Sequence, residues 1–171
     1  WKIKLQLLIS DCNVLIDLIV IDQIDNMFKL PYSFVVPDIS YEQELKNDHE
    51  YLLEKGLKIK KLSSELIMYS MELMEKYNKP GKNDLFALAL AKQESSPLIT
   101  EDKDLRDAAE KEVVVLYGTI WIIEQLIINN FITVVDARRF YSEMKEKKRQ
   151  LPWTIADKQL EEIEKNNNKD Y

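Results

Sequence analysis

The pattern of apolar and polar positions opens with Leu5-Gln6-Leu7-Leu8-Ile9-Ser10-Asp11, an apolar run that ends in a carboxylate. A strand buried on both faces reads this way, because neither side of it meets water. Apolar residues then recur at Val14, Leu15, Leu18 and Ile21, the spacing of one helix face, which predicts a helix over residues 14–28. Asp11 therefore sits where strand turns into helix. The short β-branched and aromatic run Tyr32-Ser33-Phe34-Val35-Val36 predicts a second strand, broken by Pro37-Asp38. Asp38 is placed to cap a helix that begins near Ile39 and dissolves around Lys46-Asn47-Asp48. Strict alternation of apolar and basic residues over 57–62 marks a half-exposed edge strand, whose lysines also discourage edge pairing. Ser63 starts a further helix, with Leu66, Met68, Tyr69 and Leu73 as core positions, that ends before Asn78-Lys79-Pro80-Gly81.

Asn83-Asp84-Leu85-Phe86-Ala87-Leu88-Ala89-Leu90-Ala91 predicts a helix of small and apolar residues that must pass through the core, with Asp84 in its first turn. Ser96-Pro97-Leu98-Ile99-Thr100 is a short strand, and Asp102 follows it at a helix start, repeating the arrangement at Asp11. Val113-Val114-Val115-Leu116 predicts the last strand, and Gly118-Thr119 leads into an amphipathic helix over 120–128. Alternation of strands and helices in this order argues for an α/β fold with a mostly parallel sheet and helices on both faces. In such a sheet Asp11 and Asp102 are expected to follow neighbouring strands. Two more helices, over 134–148 and 154–165, form a C-terminal extension. The expected division is a main domain over 1–130, the extension over 131–165 packed on it, and a tail over 166–171 that frays.

Composition changes this picture in three ways. With 171 residues the chain is long enough for one sizeable core, and only 3 Gly and 5 Pro favour long helices over a loop-rich all-β design. A net charge of -6 gives no overall attraction to a polyanion, so a nucleic-acid substrate would need a local basic surface or bound cations. Cys12 is the only cysteine, which excludes an internal disulfide and favours a reducing, cytoplasmic location. No apolar run is long enough to span a membrane, and the N-terminus lacks the order of a signal peptide. The lone His49 lies in a polar stretch and reads as a surface residue. The basic cluster Arg138, Arg139, Lys145, Lys147, Lys148 and Arg149 reads first as a solvated face and second as a binding surface.

Four acids, Asp11, Glu42 (with Glu44 as its alternative), Asp84 and Asp102, fall at the carboxyl edge of a strand or the start of the next helix. Each has a structural reading as a helix cap or a dipole partner. If they converge, they raise one another's pKa unless a cation neutralises them. Oxygen donors of this kind suit Mg²⁺ or Mn²⁺, whereas one Cys and one His cannot build a zinc site. A carboxylate metal centre suits phosphodiester hydrolysis, since the cation activates water and stabilises charge on the phosphate.

Leu8-Ile9-Ser10-Asp11-Cys12-Asn13-Val14-Leu15-Ile16-Asp17 resembles the opening stretch of the PIN domains, and within them the VapC-like toxin ribonucleases. Asn83-Asp84 before the apolar helix, Leu98-Ile99-Thr100-Glu101-Asp102-Lys103-Asp104-Leu105, and Gly118-Thr119-Ile120-Trp121 resemble later blocks of the same family. The resemblance covers residues 5–128. It implies a three-layer α/β/α fold, a Mg²⁺ or Mn²⁺ site, endoribonuclease activity on RNA, and two candidate protein partners, an antitoxin and a second copy of the chain. Asp11, Asp84 and Asp102 match the family's metal-site acids, and Glu42 its remaining acid. Cys12 departs from the usual hydroxyl residue beside the first acid. The reading from another class is a degenerate PIN fold that binds nucleic acid or protein without catalysis.

Overall fold

The computed structural model describes residues 4–169. Five strands, β1 (Gln6–Ser10), β2 (Tyr32–Pro37), β3 (Lys58–Lys60), β4 (Leu98–Ile99) and β5 (Leu116–Tyr117), form one sheet in the order β3-β2-β1-β4-β5. Every neighbouring pair is parallel. Helices α1 (Cys12–Val20) and α2 (Ile24–Lys29) join β1 to β2, and α3 (Asp38–Glu44), α4 (Lys46–His49) and α5 (Leu52–Lys55) join β2 to β3. Next come α6 (Ser64–Lys76) and α7 (Lys82–Gln93) before β4, and α8 (Lys103–Lys111) before β5. The chain ends in α9 (Thr119–Ile128), α10 (Val134–Glu146) and α11 (Trp153–Asn167).

The sheet separates two apolar cores, and the strands divide between them residue by residue. Leu8, Phe34, Val36 and Ile99 face the core shared with α1, α2, α9, α10 and α11. Ile9, Val35 and Leu98 face the core shared with α6, α7 and α8. This is the two-residue alternation of a strand buried on both sides, and it makes the fold a three-layer α/β/α arrangement. Helix α6 buries Leu66 and Leu73 and packs Tyr69 against the core, but Met68, expected inside, is 66 % exposed because it falls on the opposite face of the helix. Helix α7 is buried from Leu85 through Ala91, as its run of small and apolar residues requires. The last two helices bury Ala137, Phe140, Tyr141, Met144, Ala156 and Leu160 in the same core as α1 and α9.

Strand order determines where a ligand can sit. The chain runs outward from β1 through β2 to β3, then returns to the other side of β1 to lay down β4 and β5. Between β1 and β4 the winding reverses, which opens a crevice beyond their carboxyl ends. Asp11 and Asp102 follow those two neighbouring strands.

Several expected boundaries move, each for a physical reason. The helix expected over 14–28 is two helices, because Asp22 takes the left-handed conformation (φ 55°) and the Gln23 N–H closes back on the Leu18 carbonyl at 2.8 Å. An Asp tolerates that conformation, so no glycine announced the break. The segment after Leu45 folds into the single-turn helices α4 and α5, anchored by Leu45 and Leu52, both 0 % exposed. The last strand starts three residues later than the Val113-Val114-Val115 run suggested. Val113 is left-handed (φ 59°) and 90 % exposed, since it closes the end of α8 rather than pairing in the sheet. Helix α11 runs on through Asn166 and Asn167, where the sequence suggested fraying; residues 170 and 171 of that tail lie outside the described residues.

Candidate functional site

Asp11 is delivered by β1 and caps α1. Its backbone N–H extends the sheet by donating to the Ile99 carbonyl at 2.9 Å, and its Oδ1 accepts from the Asn13 N–H at 3.0 Å. Its Oδ2 accepts from the Thr100 hydroxyl at 2.9 Å. Thr100 is fully buried, and its hydroxyl oxygen also accepts from the Asp102 N–H at 3.1 Å. One hydroxyl thus bridges the ends of the two strands at the switch point. Burial pushes the Asp11 carboxyl above the ordinary carboxylate range, against the Asn13 N–H and the Thr100 hydroxyl, while the charges of Asp102 and Asp17 add to the rise.

Asp84 reaches the same place from the first turn of α7, where its Oδ2 accepts from the Gly81 N–H at 3.0 Å. Burial and then the charge of Asp11 push it up to about 6, with Asp102 and Glu44 contributing and the Gly81 N–H opposing. Glu44, at the end of α3, is an exposed residue whose carboxylate is nonetheless raised by partial desolvation and by the charge of Asp11. Asn83 donates to Gln43 Oε1 at 3.1 Å and to Glu44 Oε2 at 3.3 Å, which ties the start of α7 to the end of α3. Asp102 caps α8, its Oδ1 accepting from the Leu105 N–H at 2.8 Å. Asp11, Glu44, Asp84 and Asp102 therefore share one neighbourhood of negative charge, to which Asp17 adds at Asp11.

Glu42 is not among them. It is exposed and pairs with Lys46 one turn on, at 2.9 Å. The inward arc of α3 is set by Ser40 and Tyr41, 3 % and 4 % exposed, and Glu44 lies four and three residues beyond them on the same face. Ile39, one turn before Glu42 on its face of the helix, is only half-buried. Cys12 is buried, its thiol donating weakly to the Ser40 carbonyl at 4.0 Å, and burial pushes that thiol far above its ordinary value. It is a packed apolar residue, neither nucleophile nor ligand.

The donor chemistry fits a hard divalent cation: oxygens only, negatively charged, and costly to keep together unneutralised. Asp84 Oδ1 and Asp102 Oδ2 accept no hydrogen bond among the described residues, since each cap uses the other oxygen. Beside Glu44, the buried Oδ1 of Asn83 has no donor. As the side chains stand, no group of three or more Asp, Glu, His or Cys among the described residues is drawn close enough to hold a metal ion.

A cleft of about 1070 Å³ opens from Asp11 and Asp102. Arg106, Tyr117 and Trp121 line it, together with Lys148 and Arg149 of the α10–α11 connection and Gln159 of α11. Tyr117 and Trp121 stack at 4.0 Å, and Arg106 donates to the carbonyls of Thr100 and Tyr117 at 2.6 and 3.2 Å, bracing the ends of β4 and β5. Glu101 accepts from the Ile120 N–H at 3.3 Å and lies so close to Gly118 that a side chain there would collide with it. Two residues of this region escaped the sequence reading in their present roles: Asp17, 4 % exposed, and Arg149, whose Nε donates to it at 2.6 Å. An acid on the apolar face of α1 was the available signal. Most of the remaining basic cluster is used internally. Arg138 pairs with Glu164, Arg139 with Asp136 and Glu143, and Lys145 lies over the Trp153 ring.

No curated protein matches the chain. Solved structures with a similar course include a PilT N-terminus domain protein from the archaeon Sulfolobus solfataricus P2, at 16 % identity over 68 % of this chain and 90 % of that one, TM-score 0.48. Another is VapBC2 from Rickettsia felis bound to a DNA fragment from its promoter, at 16 % identity over 66 % of this chain and 98 % of that one, TM-score 0.49. The model of the family described as DUF3368: PIN domain matches residues 7–165, a span that runs from the second residue of β1 through β5, the four neighbouring acids and α10 to Lys165 of α11. On that match the chain belongs to the PIN-domain family.

Proposed function

We propose that this protein is a Mg²⁺- or Mn²⁺-dependent endoribonuclease that hydrolyses RNA phosphodiester bonds. PIN domains are generally nucleases. The observation that carries the reading is the placement of Asp11, Asp84 and Asp102, with Glu44 in the position expected of Glu42, at the switch point of a parallel sheet. Asp11, Asp84 and Asp102 would hold the cation. When bound, it supplies an activated water and charge stabilisation at the phosphate. The protein's own part is to aim Asp11 through the Asn13 N–H and the Thr100 hydroxyl, and to bring Asp84 and Asp102 beside it as further oxygen donors.

The test is cleavage of end-labelled single-stranded and structured RNA with Mg²⁺, with Mn²⁺ and with EDTA, beside Asp11→Asn. Cation-dependent cleavage that Asp11→Asn abolishes without loss of the fold is the expected result. The alternative, a binding module without catalysis, is favoured by the open spacing of the acids as they stand. Wild-type protein that neither cleaves RNA nor gains melting temperature with Mn²⁺, yet retards the same RNA in a gel-shift assay, would establish it.

The reading extends to a cytoplasmic toxin with an antitoxin partner. It rests on the resemblance of the Asp11, Asp84 and Asp102 blocks to VapC-like ribonucleases. A small adjacent reading frame whose product binds this chain and suppresses cleavage is the expected finding.

A further inference from the structure

The connection between α10 and α11 reaches back across the molecule to the first two turns of α1. Arg149 Nε donates to Asp17 Oδ1 at 2.6 Å, and Arg149 Nη2 donates to the Asn13 carbonyl at 3.2 Å. The nearby Lys147 ammonium donates to the Val20 carbonyl at 3.4 Å. Asp17 is 4 % exposed, and its Oδ2 accepts from the Thr119 hydroxyl of α9 at 2.7 Å. A carboxylate held so far from water needs a counter-charge, and among the described residues Arg149 is the cation bonded to it. The same guanidinium grips Asn13, whose N–H holds Asp11 Oδ1.

We propose that Arg149 is a positioning residue for the acidic centre. It locks the first two turns of α1 to the α10–α11 connection and thereby holds the Asn13 N–H that aims Asp11, a role that rests on Asp11 being a site acid. Two features make this more than a packing contact. The guanidinium divides its donors between a buried carboxylate and a backbone carbonyl two residues from Asp11, a forked contact that a lysine cannot reproduce. Residues 148–152 also line the cleft that opens from Asp11, so the strap that orients the acid forms a wall of the same cavity. The C-terminal helices are then part of the site.

The experiment compares wild type, Arg149→Lys, Arg149→Met and Asp17→Asn/Arg149→Met. Three quantities are read: melting temperature, kcat and KM for RNA in Mn²⁺, and the exchange rate of the Asn13 amide by NMR. Arg149→Lys keeps a positive charge beside Asp17, so its melting temperature stays near that of wild type. Its kcat falls about tenfold at unchanged KM, the scale of loss expected when a reacting group is slightly misaimed, and its Asn13 amide exchanges faster. The double variant no longer buries an unpaired carboxylate, so it recovers melting temperature that Arg149→Met loses, without recovering kcat. Arg149→Lys with wild-type kcat and wild-type Asn13 protection overturns the proposal. So does a double variant that regains kcat together with melting temperature. If the wild type cleaves no RNA, the nuclease reading fails separately and the Asn13 amide decides alone: faster exchange in Arg149→Lys upholds the link to Asp11, and unchanged exchange ends it.

Discussion

Asp84→Asn separates a cation-binding acid from a helix cap. Asp84 is pushed from 3.8 up to about 6 in the folded protein, so the fold binds its proton more tightly than the unfolded chain does. The stabilisation from that proton is fully present below the unfolded pKa of 3.8 and is lost as pH rises through about 6. Above that pH the ionised cluster works against the fold. A rise of this size corresponds to about 3 kcal/mol at face value, and screening at a half-buried side chain reduces it to about 1–2 kcal/mol. An amide keeps an acceptor for the Gly81 N–H but gives up about 0.3–1 kcal/mol of helix-dipole stabilisation. Without a divalent cation at pH 7.5, Asp84→Asn should therefore match or exceed wild type by about 1 kcal/mol, or about 2–4 °C in melting temperature. The gain should vanish at pH 3.5. With Mn²⁺ the order reverses, because the wild type gains stability from the cation that the variant binds less well. The assay is thermal unfolding at both pH values with and without Mn²⁺, alongside RNA cleavage, which the variant should lack. A variant that melts well below wild type at pH 7.5 without cation would refute the repulsion argument and leave Asp84 as a cap.

Glu44→Gln should lower cation-dependent cleavage, whereas Glu42→Gln should leave cleavage unchanged and stability within about 0.5 kcal/mol, since Glu42 forms only an exposed pair with Lys46. Cleavage rates and urea midpoints for the two variants check this. Gly118→Ala should cost about 0.5–1.5 kcal/mol in urea unfolding, because its Cβ would push the end of the Glu101 side chain aside and break the carboxylate's hydrogen bond from the Ile120 N–H at the start of α9. Glu112, 8 % exposed, is drawn down to about 2 by the ammonium groups of Lys76 and Lys92 and the hydroxyl of Tyr77. Its folded pKa is lowered, so its stabilisation is present above about 4.5 and is lost as pH falls through about 2. Glu112→Gln should therefore flatten the acid limb of stability measured by urea unfolding between pH 5 and pH 2.5.

Local pattern was enough to read the architecture. The alternation from Leu57 to Leu62 located the edge strand but overstated it, since β3 is only Lys58–Lys60 and Ile59 is exposed beside its lysines. The apolar run that ends at Ser10 and the stretch from Tyr32 to Val36 carry the imprint of their own burial, because a strand's faces are written into adjacent residues. The buried course of α7 was legible for the same reason. So were the positions of Asp11, Asp84 and Asp102, since a carboxylate at a strand end or in a helix's first turn is a local feature. The break at Asp22 and the late start of β5 were not legible, because both depend on single residues in the left-handed conformation that no glycine marked. The choice of Glu44 over Glu42 turned on which residues of α3 meet the core, and that was decided by its packing against α1 and β2. The Asp17–Arg149 pair joins residues 132 positions apart. No periodicity spans such a separation. Only the folded chain, by carrying the α10–α11 connection back over α1, makes one residue the counter-charge of the other.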